Sequence, residues 1–267
     1  MTTGVGNAAD EPRAEQSERS GITMAVWDDP DVGLLYEING LAEAAPTWAD
    51  RIMEYVGEYG IVLALVLLGL LAWWRGTRRS GSREEAVSGF AGLVWTPLAA
   101  AVALLVNIPI RGFVERPRPF LEHRGLEVLI KGKTDYSFVS DHSTLAMALA
   151  VGVFMVHRRY GLVAVVLAFA AGISRIYMGV HYPTDVIGGF ALGTAVALLL
   201  APAAMWMLTP LVRTAGNSPR LGAVVWAGPG RTDGAAAEAD GAGDGSGPSA
   251  KRPRRPGEVR DDRDLAA

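Results

Sequence analysis

The sequence predicts an all-α fold: a polytopic membrane helix bundle of about five transmembrane helices, preceded by an N-terminal interfacial helical segment. Three observations carry that prediction. Half of the 267 residues are hydrophobic, and mean hydropathy is +0.22. The apolar residues are gathered into five nearly uncharged blocks rather than spread in the alternating pattern of a soluble domain. Both ends of the chain are rich in small and charged residues instead. A soluble all-α core is the alternative, but five such blocks in series would leave it no polar face.

The elements follow in chain order. Residues 1–26 have no basic start and no apolar stretch of signal-peptide type, and they read as a disordered tail. Leu34–Gly60 is mildly amphipathic and reads as an interfacial segment, two short helices around Pro46, with nothing catalytic evident in it. The apolar blocks are Tyr59–Trp74, Ala86–Ile110, Ser143–Val156, Gly161–Ile173 (continuing to about Met178) and Val186–Leu208. A bilayer core needs about 20 apolar residues per helix. The second and fifth blocks meet this. The other three are short alone, which suits bundle helices whose polar ends reach an interface or a shared site. Residues 213–267 are Gly, Ala, Pro and charge-rich without apolar period, and read as a second disordered tail. One membrane-embedded domain over residues 27–212 remains.

The bulk chemistry excludes several functions. A formal net charge of -3 suggests neither a nucleic-acid binder nor an acidic solvating protein. With no Cys there are no disulfides, thiolate metal sites or Cys nucleophiles. Basic loops set the orientation. Arg75–Arg83 is dense in Arg, His157–Tyr160 carries two more, and the C-terminal "KRPRR" joins them on one side if all five blocks span. The positive-inside rule makes that side cytoplasmic. The loop from Arg111 to Asp141 carries six Lys and Arg on the other side, and several of those read as chemistry rather than topology.

Three polar islands then fall at one membrane surface. The first, "RGFVERPRPF", places Arg111, Arg116 and Arg118 just past an apolar helix. Such residues either snorkel to the interface or bind phosphate oxygens through the guanidinium fork. Pro117 and Pro119 stiffen the strand, and Arg116 is the least certain ligand of the three. The second island, "SFVSDHS", enters a helix. Ser140 and Asp141 are good caps, but a helix N-terminus also offers free N–H groups to an anion, and His142 there can give a proton to a leaving oxygen. The third, "SRIYMGVHYPTD", holds Ser174, Arg175, His181 and Asp185. Pro183 fits the first position of the next helix. From the first turn Asp185 can fold back onto a ring nitrogen of His181, which fixes the tautomer and sharpens the other nitrogen. The blander reading is an Asp stabilising a helix start with His181 at the interface. His157 lies at the opposite face and reads as structural, and His123 has no recognisable partner.

Together the islands resemble the three-part signature of the type 2 phosphatidic acid phosphatase superfamily: Arg111-x6-Arg118-Pro119, Ser140-Asp141-His142, and Ser174-Arg175-x5-His181-x3-Asp185. The wording "SF-x-SDH-S" and "SRIYMGVHYPTDVIGG", with "YEINGLA" upstream, is most similar to bacterial undecaprenyl pyrophosphate phosphatases of the bacitracin-resistance type. The resemblance covers roughly residues 37–208. Three positions depart from the pattern. Arg111 stands where Lys is usual, which keeps the charge, and Val139 and Asp141 replace a Pro and a Gly.

The resemblance implies a two-step phosphoryl transfer through a phosphohistidine. His181 is then the nucleophile, Asp185 orients it, and His142 protonates the departing oxygen. Arg111, Arg118, Ser140, Asp141, Ser174 and Arg175 form the phosphate-binding set, with main-chain N–H groups near Asp141 and His142 helping. Phosphoryl transfer spreads negative charge over three oxygens, so preplaced cations supply most of the catalysis. The islands offer only Glu115, Asp141 and Asp185 as carboxylates, against several Arg that would repel cations, so neither metal nor cofactor is expected. The expected partner is a lipid phosphate in the membrane, reached from the extracytoplasmic leaflet of the plasma membrane. Undecaprenyl pyrophosphate fits, as do phosphatidic acid, phosphatidylglycerol phosphate and transfer to an acceptor other than water. A transporter or scaffold that binds such a ligand without turnover is the non-enzyme alternative.

Overall fold

A computed structural model of the chain describes residues 29–130, 132–218 and 221–228, and every element in it is helical. All of the expected N-terminal tail, residues 1–26, and residues 229–267 of the expected C-terminal tail lie outside the described residues. Helix α1 runs Pro30–Glu43. Helix α2 is a continuous rod over Thr47–Arg79. Then come α3 (Arg83–Val114), α4 (Asp141–Val156), α5 (Arg158–Tyr177), α6 (Pro183–Leu199) and α7 (Ala201–Gly216).

Three of these, α2, α3 and α5, are long and apolar enough to cross a membrane, and α6 with α7 makes a fourth if the bent pair is one span. The expected fifth block is thus broken. The chain bends by 51° between Leu199 and Ala201, where Pro202 supplies no N–H to continue α6. The expected third block, α4, is apolar but only 16 residues long. It is the buried centre of the bundle, packed on α3, α5 and α6. It is buried on more than one face, and the small residues Ala146, Ala148, Ala150 and Gly152 around it let neighbours approach closely. From α6, Gly193 meets the backbone of α4 at Ala148, where an added Cβ would stand 2.9 Å from the Ala148 nitrogen.

The N-terminal segment differs from expectation. The sequence suggests two short interfacial helices around Pro46. Only the first is separate, and residues from Thr47 continue into the membrane-crossing rod through a π-helical turn at Val56–Gly60. Helix α1 packs across the ends of α5 and α6, burying Leu35 against Ile176, Tyr182 and Val186. The buried Asn39 fixes it there. Its amide donates to the carbonyls of Glu127 and Tyr177, and its oxygen accepts the Glu127 N–H, each at 2.8 Å. At the other end, α7 continues past Val212 to Gly216, and Val225 on a following single turn is buried against Val87 and Ala91.

Local chemistry sets the helix starts that matter. Ser82 caps α3, with Glu84 and Glu85 in the first turn where the helix dipole favours anions. Ser140 caps α4. Pro183 opens α6, and the Asp185 carboxylate accepts the Tyr182 N–H at 2.8 Å. The C-terminal ends of α3 and α5 and the N-terminal ends of α4 and α6 therefore lie at one end of the bundle. The basic turns meet at the other end, where the Thr77 hydroxyl and His157 Nε2 are 2.8 Å apart.

Candidate active site

The three polar islands converge, and the hydrogen bonds of His181 define the centre. Its Nδ1 lies 2.9 Å from the Ser137 carbonyl oxygen and 3.6 Å from Asp185 Oδ2. Both are acceptors, so Nδ1 carries the proton. On the other side, Nε2 lies 3.3 Å from Arg118 Nη1, which can only donate. Nε2 therefore presents a lone pair. The closer acceptor is the Ser137 carbonyl; the Asp185 carboxylate, besides facing the ring, caps α6 and holds Arg116 Nη1 at 3.0 Å. Burial pushes the His181 imidazole below its ordinary pKa. The Asp185 carboxylate opposes this, but the charges of Arg118 and Arg175 reinforce it. The ring is thus neutral at neutral pH.

Arg118 is almost wholly buried, at 2% exposure. Its fork donates to the Asp135 carbonyl at 3.0 Å, to the Asp135 carboxylate at 2.8 Å and to the Val180 carbonyl at 2.9 Å. Arg111 reaches the other Asp135 oxygen at 2.8 Å and pairs with Asp141. Asp141 also accepts the Asn107 amide at 2.7 Å, so its carboxylate orients Arg111. Burial raises Asp135, but the hydrogen bond and charge of Arg118 and the charge of Arg111 outweigh it and hold its carboxyl below the ordinary value.

His142 and Arg175 come together through a residue that sequence reasoning missed. Glu58, on the π-helical turn of α2, binds Arg175 Nη1 through Oε2 at 2.6 Å. Its Oε1 lies 3.6 Å from His142 Nε2 and 3.8 Å from Lys133 Nζ. Arg175 is fully buried, and its Nη2 has no partner among the described residues. A buried guanidinium nitrogen without an acceptor is unfavourable, and at this position it is a donor free for an arriving oxygen. Helix α2 comes this close because residue 57 is Gly: an added Cβ would stand 2.9 Å from Met178 Cε and 3.0 Å from both Arg175 Nη2 and Ser174 Oγ.

The other expected site residues have narrower surroundings. The Ser140 hydroxyl accepts from the Ser143 N–H and hydroxyl at 3.4 and 3.1 Å, and its N–H donates to the Asp185 carbonyl, joining α4 to α6. The Ser174 hydroxyl donates to the Ala171 carbonyl within α5. Arg116 is a strut. It binds Asp31, Thr184 and Asp185 and lies over the Tyr182 ring at 3.7 Å. Burial lowers its pKa, but Asp31 and Asp185 overcome that and raise it. His123 stands edge-on between Tyr36 and Tyr182.

Among the described residues, no group of three or more His, Asp or Glu side chains could hold a metal ion. An apolar groove of about 500 Å³ along α3, lined by Ala101, Leu104, Leu105 and Ile108, opens directly onto Arg111 and Asp141. The missed groups left unequal traces in the sequence. Glu58 is the lone charge at the mouth of the first apolar block, between Gly57 and Gly60, and Asn107 is the lone amide of the second; both could have been flagged as intramembrane polar residues. Nothing marks Asp135 or the Ser137 carbonyl, because their roles depend on how the loop folds.

Several known proteins are similar to this chain. The sequence profile of the PAP2 superfamily matches residues 92–208. The chain is 33% identical to undecaprenyl-diphosphatase BcrC of Bacillus subtilis over 151 residues, 56% of this chain and 72% of that protein. It is 35% identical to decaprenylphosphoryl-5-phosphoribose phosphatase of Mycobacterium tuberculosis over 191 residues, 71% of this chain and 90% of that protein. Among solved structures, Aquifex aeolicus LpxE aligns at 20% identity with a TM-score of 0.48, covering 64% of this chain and 94% of that one.

Proposed function

Because the chain belongs to the PAP2 superfamily and is a membrane lipid phosphatase related to undecaprenyl-diphosphatase-type enzymes, we propose that it hydrolyses a prenyl pyrophosphate, undecaprenyl pyrophosphate to undecaprenyl phosphate, through a phosphohistidine. The observation that carries this reading is the tautomer of His181. The Ser137 carbonyl accepts from Nδ1–H at 2.9 Å with the Asp185 carboxylate 3.6 Å away, and a guanidinium faces the Nε2 lone pair.

Nε2 attacks the terminal phosphorus. The bond from phosphorus to the bridging oxygen breaks, its electron pair leaves with the lipid phosphate, and His142 gives that oxygen a proton. Neutral His142 then takes a proton from water, whose oxygen attacks the phosphohistidine and returns Nε2 with its lone pair. Arg111, Arg118 and Arg175 hold the equatorial oxygens, where charge accumulates. The three guanidiniums do the electrostatic work without a metal ion. The α3 groove beside Arg111 suits an amphiphile whose phosphate sits at headgroup level. Five crossings, with α4 and the bent α6–α7 pair each traversing the bilayer, put the Arg-rich turns in the cytoplasm and the site on the extracytoplasmic side.

A second reading is favoured by the mycobacterial relative: a phosphomonoesterase acting on a prenyl-linked sugar phosphate. Purified protein in detergent separates the two when phosphate release from undecaprenyl pyrophosphate is measured beside phosphatidic acid and a prenyl-linked sugar phosphate. The pyrophosphate should be preferred, His181→Ala should abolish release, and excess chelator should leave turnover intact. A loss in chelator that magnesium restores, or residual turnover in His181→Ala, would refute the mechanism.

A further inference from the structure

The outer loop supplies a cation that the mechanism above leaves unused. Lys133 is partly exposed, and its Nζ approaches Glu58 Oε1 at 3.8 Å, the same oxygen that lies 3.6 Å from His142 Nε2. The cations of the site therefore divide between two carboxylates. Asp135 gathers Arg111 and Arg118 beside His181. Glu58 gathers Arg175, His142 and Lys133. Each carboxylate is an anion seated among donors, so the site offers two anion seats, one beside each histidine.

In-line transfer puts the leaving oxygen opposite the nucleophile. With His181 attacking, the departing group emerges toward His142 and thus toward the seat that Lys133 reaches. What departs depends on the substrate. From a phosphomonoester it is an alkoxide, whose need is a proton. From a diphosphate it is a second phosphate, whose need is also a cation. A lysine ammonium is a compact charge with three donors on a flexible stem, able to follow that phosphate.

Resting on the phosphohistidine reading above, we propose that Lys133, anchored by Glu58, forms a subsite for the lipid-linked phosphate of a diphosphate, and so determines preference for lipid diphosphates over monophosphates. A lysine that merely neutralised Glu58 would support every substrate equally, and this separates the two roles.

The test uses the full chain in detergent with two substrates that share one tail, farnesyl diphosphate and farnesyl monophosphate. Lys133→Met should lower kcat/KM for the diphosphate by about 10- to 100-fold, the effect of losing one charge-assisted contact in the transition state. The monophosphate should change less than about threefold on the same principle. Lys133→Gln should give the same shift in ratio, and Lys133→Arg should keep most of the wild-type ratio. Equal losses on both substrates, or an unchanged diphosphate rate, would overturn the subsite. Wild-type protein that releases phosphate from neither substrate would instead overturn the phosphatase reading on which the subsite rests.

Discussion

Asp185→Asn tests how His181 is held. The carboxylate is fully buried and lies 3.6 Å from His181 Nδ1. Attack on phosphorus leaves the imidazole with a positive charge, which the carboxylate stabilises and a neutral amide does not. At an effective dielectric of about 20, unit charges at that separation attract by about 4–5 kcal/mol, which caps the rate loss near 10³-fold. The tautomer survives, because the Ser137 carbonyl at 2.9 Å still accepts from Nδ1. The expected result is therefore a large but incomplete loss: kcat down by about 10²- to 10³-fold, against no detectable turnover for His181→Ala. Arg116 keeps Asp31 as a partner, so folding should survive the loss of one charge-assisted hydrogen bond, about 2 kcal/mol. Single-turnover phosphate release, normalised to folded protein by thermal unfolding, reads both effects. A loss as complete as that of His181→Ala would refute the primacy of the Ser137 carbonyl. A loss below about tenfold would refute the electrostatic role of Asp185.

Two further outcomes follow from the same geometry. Burial and the charges of Arg118 and Arg175 depress His181, so the nucleophile stays unprotonated until pH falls below the ordinary imidazole value of about 6.5; the acid limb of kcat/KM should be centred below that, and a limb centred above it would contradict the assignment. Gly57→Val should cut kcat/KM by about 10- to 100-fold by pushing Glu58 and Arg175 out of place, whereas Gly60→Ala, whose Cβ would meet only α2 itself at 3.6 Å or more, should stay within about twofold of wild type on the same reasoning; equal effects of the two would remove the close approach of α2 as a cause.

What the sequence revealed and what it hid divide along a physical line. Residues within one or two turns of each other were legible. Asp185 lies four positions after His181, Pro183 opens a helix, and Ser140 caps another, because local geometry fixes such relations. Crossing helices were legible as apolar blocks, but their lengths were not. The short α4 is buried by protein on several sides and needs no lipid-length surface, and the break near Leu200 turns one long block into two helices. The groups that escaped notice act across the fold. Glu58 lies 117 residues from Arg175 in sequence. Asp135 sits in a loop with no periodicity to read. Asn39 looked like part of an inert interfacial segment and Asp31, just ahead of it, carried no signal, yet Asn39 pins α1 to the end of α5 and Asp31 pairs with Arg116.

The carboxylates explain how a site so rich in cations exists at all. Guanidiniums buried at the end of a helix bundle repel one another and lose hydration, which is unfavourable unless anions compensate. Asp135 and Glu58 each bridge several cations rather than pairing with one. Sharing has a consequence for binding. In the proposed reaction a phosphate entering beside Arg118 and Arg175 would find donors already aimed by the carboxylates behind them, and Nη2 of Arg175, without a partner among the described residues, would take an acceptor. The anions that make the cluster foldable are therefore the same groups that preorganise it, and preorganised dipoles and charges stabilise a transition state without reorganising when the charge arrives. Replacing either carboxylate should for that reason weaken catalysis, although the net positive charge of the cluster rises.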